Sequence, residues 1–189
     1  MMFRLMAPFY DRFIRFAGVD NSKTIPEWLA PVKDMEVLDL GGGTGINAET
    51  LSKAGAKVTL ADASYPMLKR ASAKKMAVNL IQATAESLPL PDSSFDIVLI
   101  SDAWHHFRDQ AGAAGEASRV LRPSGRLYII DFDPGKKITK TITFFEKMLA
   151  EPAAFTPPDE LVRIMRRVGI EGACRGLNYA QFIYEGRKI

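Results

Sequence analysis

The residues with most chemical potential stand in one short stretch, Asp39-Leu40-Gly41-Gly42-Gly43-Thr44-Gly45. An apolar run, Val37, Leu38 and Leu40, leads into it, and a helical pattern opens at Ile46. Glycine accepts positive φ and carries no Cβ, so such a turn brings bare main chain within hydrogen-bonding distance of a ligand. The free N–H groups of the first helical turn then face that ligand. Two phosphate-binding patterns share this logic, and spacing argues against both. The dinucleotide fingerprint needs a small residue where Ile46 stands, and a phosphate-cradling loop needs a Gly-Lys-Ser/Thr that the turn lacks. Asp39, two residues before the first glycine, would repel a pyrophosphate and suits a cationic ligand. A purely structural glycine turn is the bland alternative that this motif alone leaves open.

Two further groups narrow the choice. Asp62 ends the strand-like run Lys57–Ala61. An acid in that place, roughly 20 residues beyond the first glycine of a nucleotide-binding α/β sheet, accepts hydrogen bonds from ribose hydroxyls. The segment Ser101-Asp102-Ala103-Trp104-His105-His106-Phe107 follows the apolar run Asp96–Ile100, so it belongs at the carboxyl end of a buried parallel strand, where ligands bind in open sheets. Histidine titrates near neutrality, which makes His105 and His106 candidates for a general base. The competing reading is that they only shape the loop. Two adjacent histidines and the single Cys174 form too thin a ligand set for a metal, so none is expected.

Elements that would hold these groups alternate along the chain. The spacing predicts helices over 46–54, 65–75 and 110–121, and strands over 57–61, 78–82, 96–100 and, after the turn Pro123-Ser124-Gly125, over 126–132. Pro157-Pro158 lead into a helical stripe, Leu161, Val162, Met165 and Val168, closed by Gly169, and two last strands are predicted over 170–177 and 179–185. The chain has 189 residues, 25% of them charged, with a net charge of +3. With a sequence pI of about 9.0, it suits one soluble globular unit that permits an anionic partner without requiring one. One cysteine excludes an intramolecular disulfide and points to a reducing, cytoplasmic setting. The N-terminus shows no signal-peptide core, because Arg4, Asp11, Arg12 and Arg15 interrupt it.

Taken together, VLDLGGGTG, VTLADASYPML, IQATAESLPLPDSSFDIVLI, SDAWHHF and RVLRPSGRLYIID resemble, in order and spacing, the class I S-adenosylmethionine-dependent methyltransferases. The resemblance is strongest to the small-molecule branch with the ubiquinone/menaquinone-biosynthesis enzymes. It covers roughly residues 35–133, with an echo in Ala7-Pro8-Phe9-Tyr10-Asp11. It implies a doubly wound, Rossmann-like α/β fold with a mostly parallel seven-stranded sheet and an antiparallel edge hairpin at the C-terminus. It also implies S-adenosylmethionine as cofactor. On that reading Gly41, Gly42, Gly43, Thr44 and Gly45 approach its methionine part, and Asp39 helps hold the turn and the cofactor's amino group. Asp62 binds the ribose, Ala63 and Met67 flank adenine, Thr84, Ala85 and Glu86 read the adenine edge, and Ser101 lies beside the sulfonium. Relatives usually carry aspartate where Thr84 stands, although a threonine hydroxyl also accepts a hydrogen bond.

Residues 1–34 are expected to form a helical lid or appendage and residues 35–189 the methyltransferase domain, in a single globular unit. Tyr10 is a further candidate for closing or serving the catalytic pocket. The basic, apolar N-terminus allows peripheral membrane contact, but no run is long enough for insertion. The function expected is methyl transfer to a small organic acceptor by a monomer or homodimer, without nucleic acid. The alternatives are an RNA or protein methyltransferase and a non-catalytic S-adenosylmethionine-binding protein.

Overall fold

Strand β1 (Glu36–Leu40) owes its place to its side chains, which alternate between two apolar layers. Val37 joins one layer and Leu38 the other, and Ile97 and Val98 divide in the same way. The computed structural model describes residues 21–136, 139 and 154–189. Within them β1 is joined by β2 (Lys57–Asp62), β3 (Val78–Gln82), β4 (Phe95–Ser101), β5 (Leu121–Phe132), β6 (Ile170–Gly176) and β7 (Gln181–Lys188). These strands form one seven-stranded sheet in the order β3-β2-β1-β4-β5-β7-β6. The first five run parallel, and β7 lies antiparallel between β5 and β6, so β6 and β7 make the expected C-terminal hairpin. The fold is therefore the expected Rossmann-like α/β architecture, a mostly parallel seven-stranded sheet with an antiparallel C-terminal edge.

Helices α1 (Ile25–Trp28), α2 (Ile46–Lys53), α3 (Tyr65–Ala73), α4 (Gln110–Val120) and α5 (Pro158–Arg167), with a 3₁₀ turn at Trp104–His106, connect and cover the strands. Ile25 and Leu29 are wholly buried with Val37, Leu51 and Leu60, so residues 21–34 share the core of the sheet. On the other face Trp104, Leu161 and Tyr184 pack with Leu38 and Ile129. Burial of each large apolar side chain contributes about 1.5–3 kcal/mol. Among the described residues no helix is long and apolar enough to cross a membrane.

Element boundaries shift by up to a few residues from the sequence expectation, and two of the shifts have a local reason. The turn expected at Pro123-Ser124-Gly125 lies inside β5, where Ser124 takes a φ of 62° and the pairing with β4 shifts register between Phe95 and Ile97. Strand β7 begins at Gln181, two residues later than predicted. The Asn178 Oδ1 accepts from the Ala180 N–H at 2.9 Å and from the Gln181 N–H at 2.8 Å. This Asx turn keeps Tyr179 out of the ladder. The same turn fixes the start of β7, where buried Gln181 reaches Asp102.

After β1 the chain runs outward to β2 and β3 and then returns to β4 on the other side of β1. The carboxyl ends of β1 and β4 therefore face a topological switch point, the position where open α/β sheets bind ligands.

Candidate active site

The glycine turn leaves β1 with its main chain committed. Gly41 N–H donates to the Ala61 carbonyl at 2.7 Å, extending the pairing of β1 with β2 by one residue. Gly41, Gly43 and Gly45 take φ values of 75°, 55° and 78°, which explains why residues without Cβ stand there. A Cβ on Gly41 would lie 2.6 Å from the Ala103 Cβ, so this glycine lets the β1 turn touch the loop after β4. Gly43 has open space where its Cβ would be.

Two aspartates brace the turn from different sides. Asp62, at the end of β2, accepts from the Gly43 N–H at 2.8 Å and from the Ser64 N–H at 2.7 Å. Burial raises its pKa above the ordinary carboxylate value, and these two amide donors oppose the rise. Asp39 lies beneath the turn, only 1% exposed, and a Cβ on Gly42 would meet its Oδ2 at 2.6 Å. Among the described residues no donor reaches hydrogen-bonding geometry with either carboxyl oxygen of Asp39. Burial pushes its pKa up to about 7, and the charge of Asp62 adds to the rise. The Ala48 amide, in the first turn of α2, is near enough to offset part of it.

A cavity of about 390 Å³ opens between this turn and the loop after β4. That volume lies within the range of small-molecule sites, roughly 300–1,000 Å³. Its wall brings together Gly41, Gly43, Asp62, Ala63, Met67, Thr84, Ala85, Glu86 and His106. The remaining residues singled out in the sequence stand behind or beside it. Gly42 and Asp39 lie under the turn, Thr44 is buried, and Gly45 is the N-cap of α2. Ser101 ends β4 without reaching the cavity, whose wall continues instead with Asp102 and Ala103. Tyr10 lies outside the described residues.

The two histidines, equivalent in sequence, separate in space. His106 lines the cavity. His105 is only 2% exposed, and its Nδ1 sits 2.6 Å from Asp131 Oδ1 while its backbone N–H donates to Oδ2 at 3.0 Å. Asp131, at the end of β5, also accepts the N–H of Phe132 at 2.8 Å. The Phe155 ring stacks on His105 at a centroid distance of 4.3 Å, and the Ala154 N–H donates to the His105 carbonyl. Geometry thus makes His105 a buried anchor of the loop and His106 its cavity-facing neighbour.

Sequence reasoning passed over Asp102, Phe107 and Arg108, which also line the cavity. Asp102 carried a readable signal, an acid at a strand end, the same signal that marked Asp62. Gln181 carried none, because only the fold brings the start of β7, across β5, to the residue that follows β4. Its Nε2 donates to Asp102 Oδ1 at 2.6 Å, while its Oε1 accepts from Asn178 at 2.7 Å and Asn21 at 3.0 Å.

A glycine turn over an unpartnered carboxylate, a strand-end acid for a diol and a cavity at the switch point define a nucleoside site suited to a cationic ligand. The unpaired Asp39 and the open face of Gly43 fit S-adenosylmethionine. The chain belongs to the class I S-adenosylmethionine-dependent methyltransferases. A methyltransferase-domain family matches residues 38–129. The demethylmenaquinone methyltransferase of Thermus thermophilus is 36% identical over 149 residues, covering 72% of this chain and 66% of that one. The ubiquinone/menaquinone biosynthesis C-methyltransferase of Shewanella piezotolerans is 41% identical over 111 residues, 54% of this chain and 44% of that one. The chain thus spans less than two thirds of these relatives' length. A Thermotoga maritima methyltransferase, described as a possible histamine N-methyltransferase, superposes with a TM-score of 0.82 at 25% identity and covers 100% of this chain and 99% of its own.

Proposed function

We propose that this chain transfers a methyl group from S-adenosylmethionine to a small organic acceptor and releases S-adenosylhomocysteine. The observation that carries the reading is one cavity walled on one side by Gly41, Gly43 and Asp62 and on the other by Asp102 and His106. The cofactor supplies a methyl already activated on a sulfonium, so alignment provides most of the rate.

The chain's own residues divide that work. Asp62 accepts the ribose hydroxyls: each of its oxygens already takes one amide N–H and retains a second lone pair. Ala63 and Met67 flank the adenine, and Thr84, Ala85 and Glu86 meet its edge. Asp39 contributes negative potential from below the turn. Phe107 and Trp104 stand edge to face at 5.8 Å and close the acceptor side against water. His106 meets the acceptor, and His105 positions the loop that carries it. Residues 1–34 serve as an N-terminal appendage to a domain of residues 35–189, with Ile25 and Leu29 tied into the core of the sheet and residues 1–20, with Tyr10, as the lid. The protein acts as a cytoplasmic monomer or homodimer, with at most peripheral membrane contact and without nucleic acid.

Quinol acceptors are the first class to test, since the named function of two relatives lies in quinone biosynthesis. A labelled-methyl assay would offer the protein demethylmenaquinol, histamine and bulk RNA. Incorporation into a small molecule is expected; incorporation into RNA alone would overturn the reading. Deleting residues 1–20 should abolish turnover while the remainder still melts cooperatively, and full activity in the truncation would dispose of the lid.

A further inference from the structure

We propose that Asp102 is the catalytic residue that takes the proton from the acceptor, and that Gln181 is the positioning residue that aims its carboxylate. The proposal rests on the methyltransferase reading above and adds to it the group that makes the acceptor nucleophilic. Asp102 directly follows β4, and its neighbour Ala103 packs on Gly41, so the carboxyl stands where the acceptor wall meets the glycine turn.

Its conformation is held by the fold. Asp102 takes a φ of 52°. This left-handed conformation is uncommon outside glycine, asparagine and aspartate and is concentrated at functional sites. Its own N–H donates to the Ile130 carbonyl at 2.9 Å, which pins the main chain to β5 at the cavity wall that Asp102 helps to form. The Gln181 amide then fixes Oδ1, and Gln181 is itself 1% exposed and held by Asn21 and Asn178. A buried amide with both ends satisfied supports a functional carboxylate in the way an outer hydrogen-bonding shell supports a catalytic group.

The proton inventory around Asp102 suits a base near neutrality. Burial pushes its carboxyl up to about 7, and the charge of Asp131 adds to the rise, whereas His105, Gln181 and Ser101 pull it down. The other ionisable groups in its surroundings are His106 at the end of the 3₁₀ turn and Arg108 beyond it, Asp62 and Glu86 on the same cavity, and Asp133 and Lys136, which line a second hollow with Gln181. An acceptor that keeps its proton at neutral pH gains from such a base by about 10²–10⁴-fold. The transfer balances simply. The acceptor's electron pair forms the new bond to carbon, the carbon–sulfur pair leaves with sulfur as a neutral thioether, and the acceptor's proton passes to the Asp102 carboxylate.

The test compares wild type, Asp102→Asn and Gln181→Ala with short-chain demethylmenaquinol and with histamine, S-adenosylmethionine being saturating and its affinity measured separately by calorimetry. Asparagine also tolerates the left-handed conformation, so the first variant should melt like wild type. Asp102→Asn should lose at least about 100-fold in kcat. Its affinity for S-adenosylmethionine should stay within about threefold, a change below about 0.7 kcal/mol. The acid limb of the wild-type pH profile, near pH 7, should vanish. Gln181→Ala should keep that limb but move it to higher pH, because the lost amide had favoured the ionised form. A merely structural role for Gln181 would leave the limb in place.

Unchanged kcat and limb in Asp102→Asn would overturn the proposal while leaving the methyltransferase reading intact. A loss confined to cofactor affinity would overturn it too, making Asp102 a cofactor ligand. A wild type that binds S-adenosylmethionine yet methylates neither probe would bring down the functional reading, and the proposal with it.

Discussion

The two walls of the cavity are built from different materials. On the β1–β2 side the wall is largely main chain: glycines at positive φ, the amides of Gly43 and Ser64, and one aspartate that bonds to both. On the other side the wall residues after β4 are set by side chains behind them, Gln181 on Asp102 and Asp131 on His105, pairs whose members stand 79 and 26 positions apart in the chain. A main-chain wall recognises one ligand and changes little when side chains drift. A side-chain wall can be retuned residue by residue, and that is the natural place for acceptor specificity.

The difference would be tested most severely at its two aspartate anchors. Asp62→Ala removes the group proposed to accept both ribose hydroxyls, at about 1.5–3 kcal/mol for each charge-assisted bond. Affinity for S-adenosylmethionine should therefore fall by about 100-fold or more in calorimetry. Unchanged affinity would remove Asp62 from the cofactor wall. Asp131→Asn should act on the other wall alone. It deprives buried His105 of a carboxylate that meets both its Nδ1 and its backbone N–H. About 2–3 kcal/mol of stability should go with it. For a chain of this size that lowers Tm by roughly 5–10 °C, with cofactor affinity held within about threefold. A comparable loss of cofactor affinity would mean that the walls are one unit.

These walls were also unequally legible in the sequence. The glycine turn and Asp62 could be read because their roles depend on local spacing along one βαβ unit, which composition and period reveal. The alternation of strands and helices pointed to the parallel sheet for the same reason, while the antiparallel C-terminal hairpin was an expectation carried by the family resemblance. Asp131, Gln181 and Asn21 could not be read, since their work depends on which strand lies beside which. His105 and His106 show the limit well: adjacent in sequence and identical in type, they differ only because the 3₁₀ turn points one at Asp131 and the other at the cavity.

Asp39 offers a third contrast, read through pH. Burial raises its pKa to about 7 in the folded chain, against an ordinary value of 3.8. The folded state then binds more protons than the unfolded one between those values, so this group costs stability as pH rises from about 4 to 7. Asp39→Asn should flatten that part of the stability curve and make the cofactor-free chain more stable at about pH 8, by on the order of 1 kcal/mol. Asp102 shifts in the same direction, so the variant should flatten the slope without abolishing it. A bound cation favours ionised Asp39, so S-adenosylmethionine should stabilise wild type more than the variant, and more than neutral S-adenosylhomocysteine does. Identical pH slopes in thermal melts of wild type and Asp39→Asn would refute the assignment.

Thr84 is the place where the main-chain wall itself departs from its relatives' pattern, and it should show the smallest effect. It lies on the cavity beside Ala83, Ala85 and Glu86, and a bridge to Ser87 holds its backbone, with the Ser87 N–H donating to the Thr84 carbonyl at 3.2 Å. The adenine-edge segment is thus fixed by main chain whichever side chain stands there. Thr84→Asp would replace a neutral acceptor with a charged one, a gain of about 1 kcal/mol for a bond to the adenine amino group. Repulsion from Glu86 and Asp62 at the same cavity takes back part of that gain. The net expectation is a two- to fivefold tightening for S-adenosylmethionine, roughly 0.4–1 kcal/mol, with acceptor KM unchanged. A weakened complex would show that the segment reads adenine through its main chain alone and that the threonine is there to keep another negative charge out of an already acidic cavity.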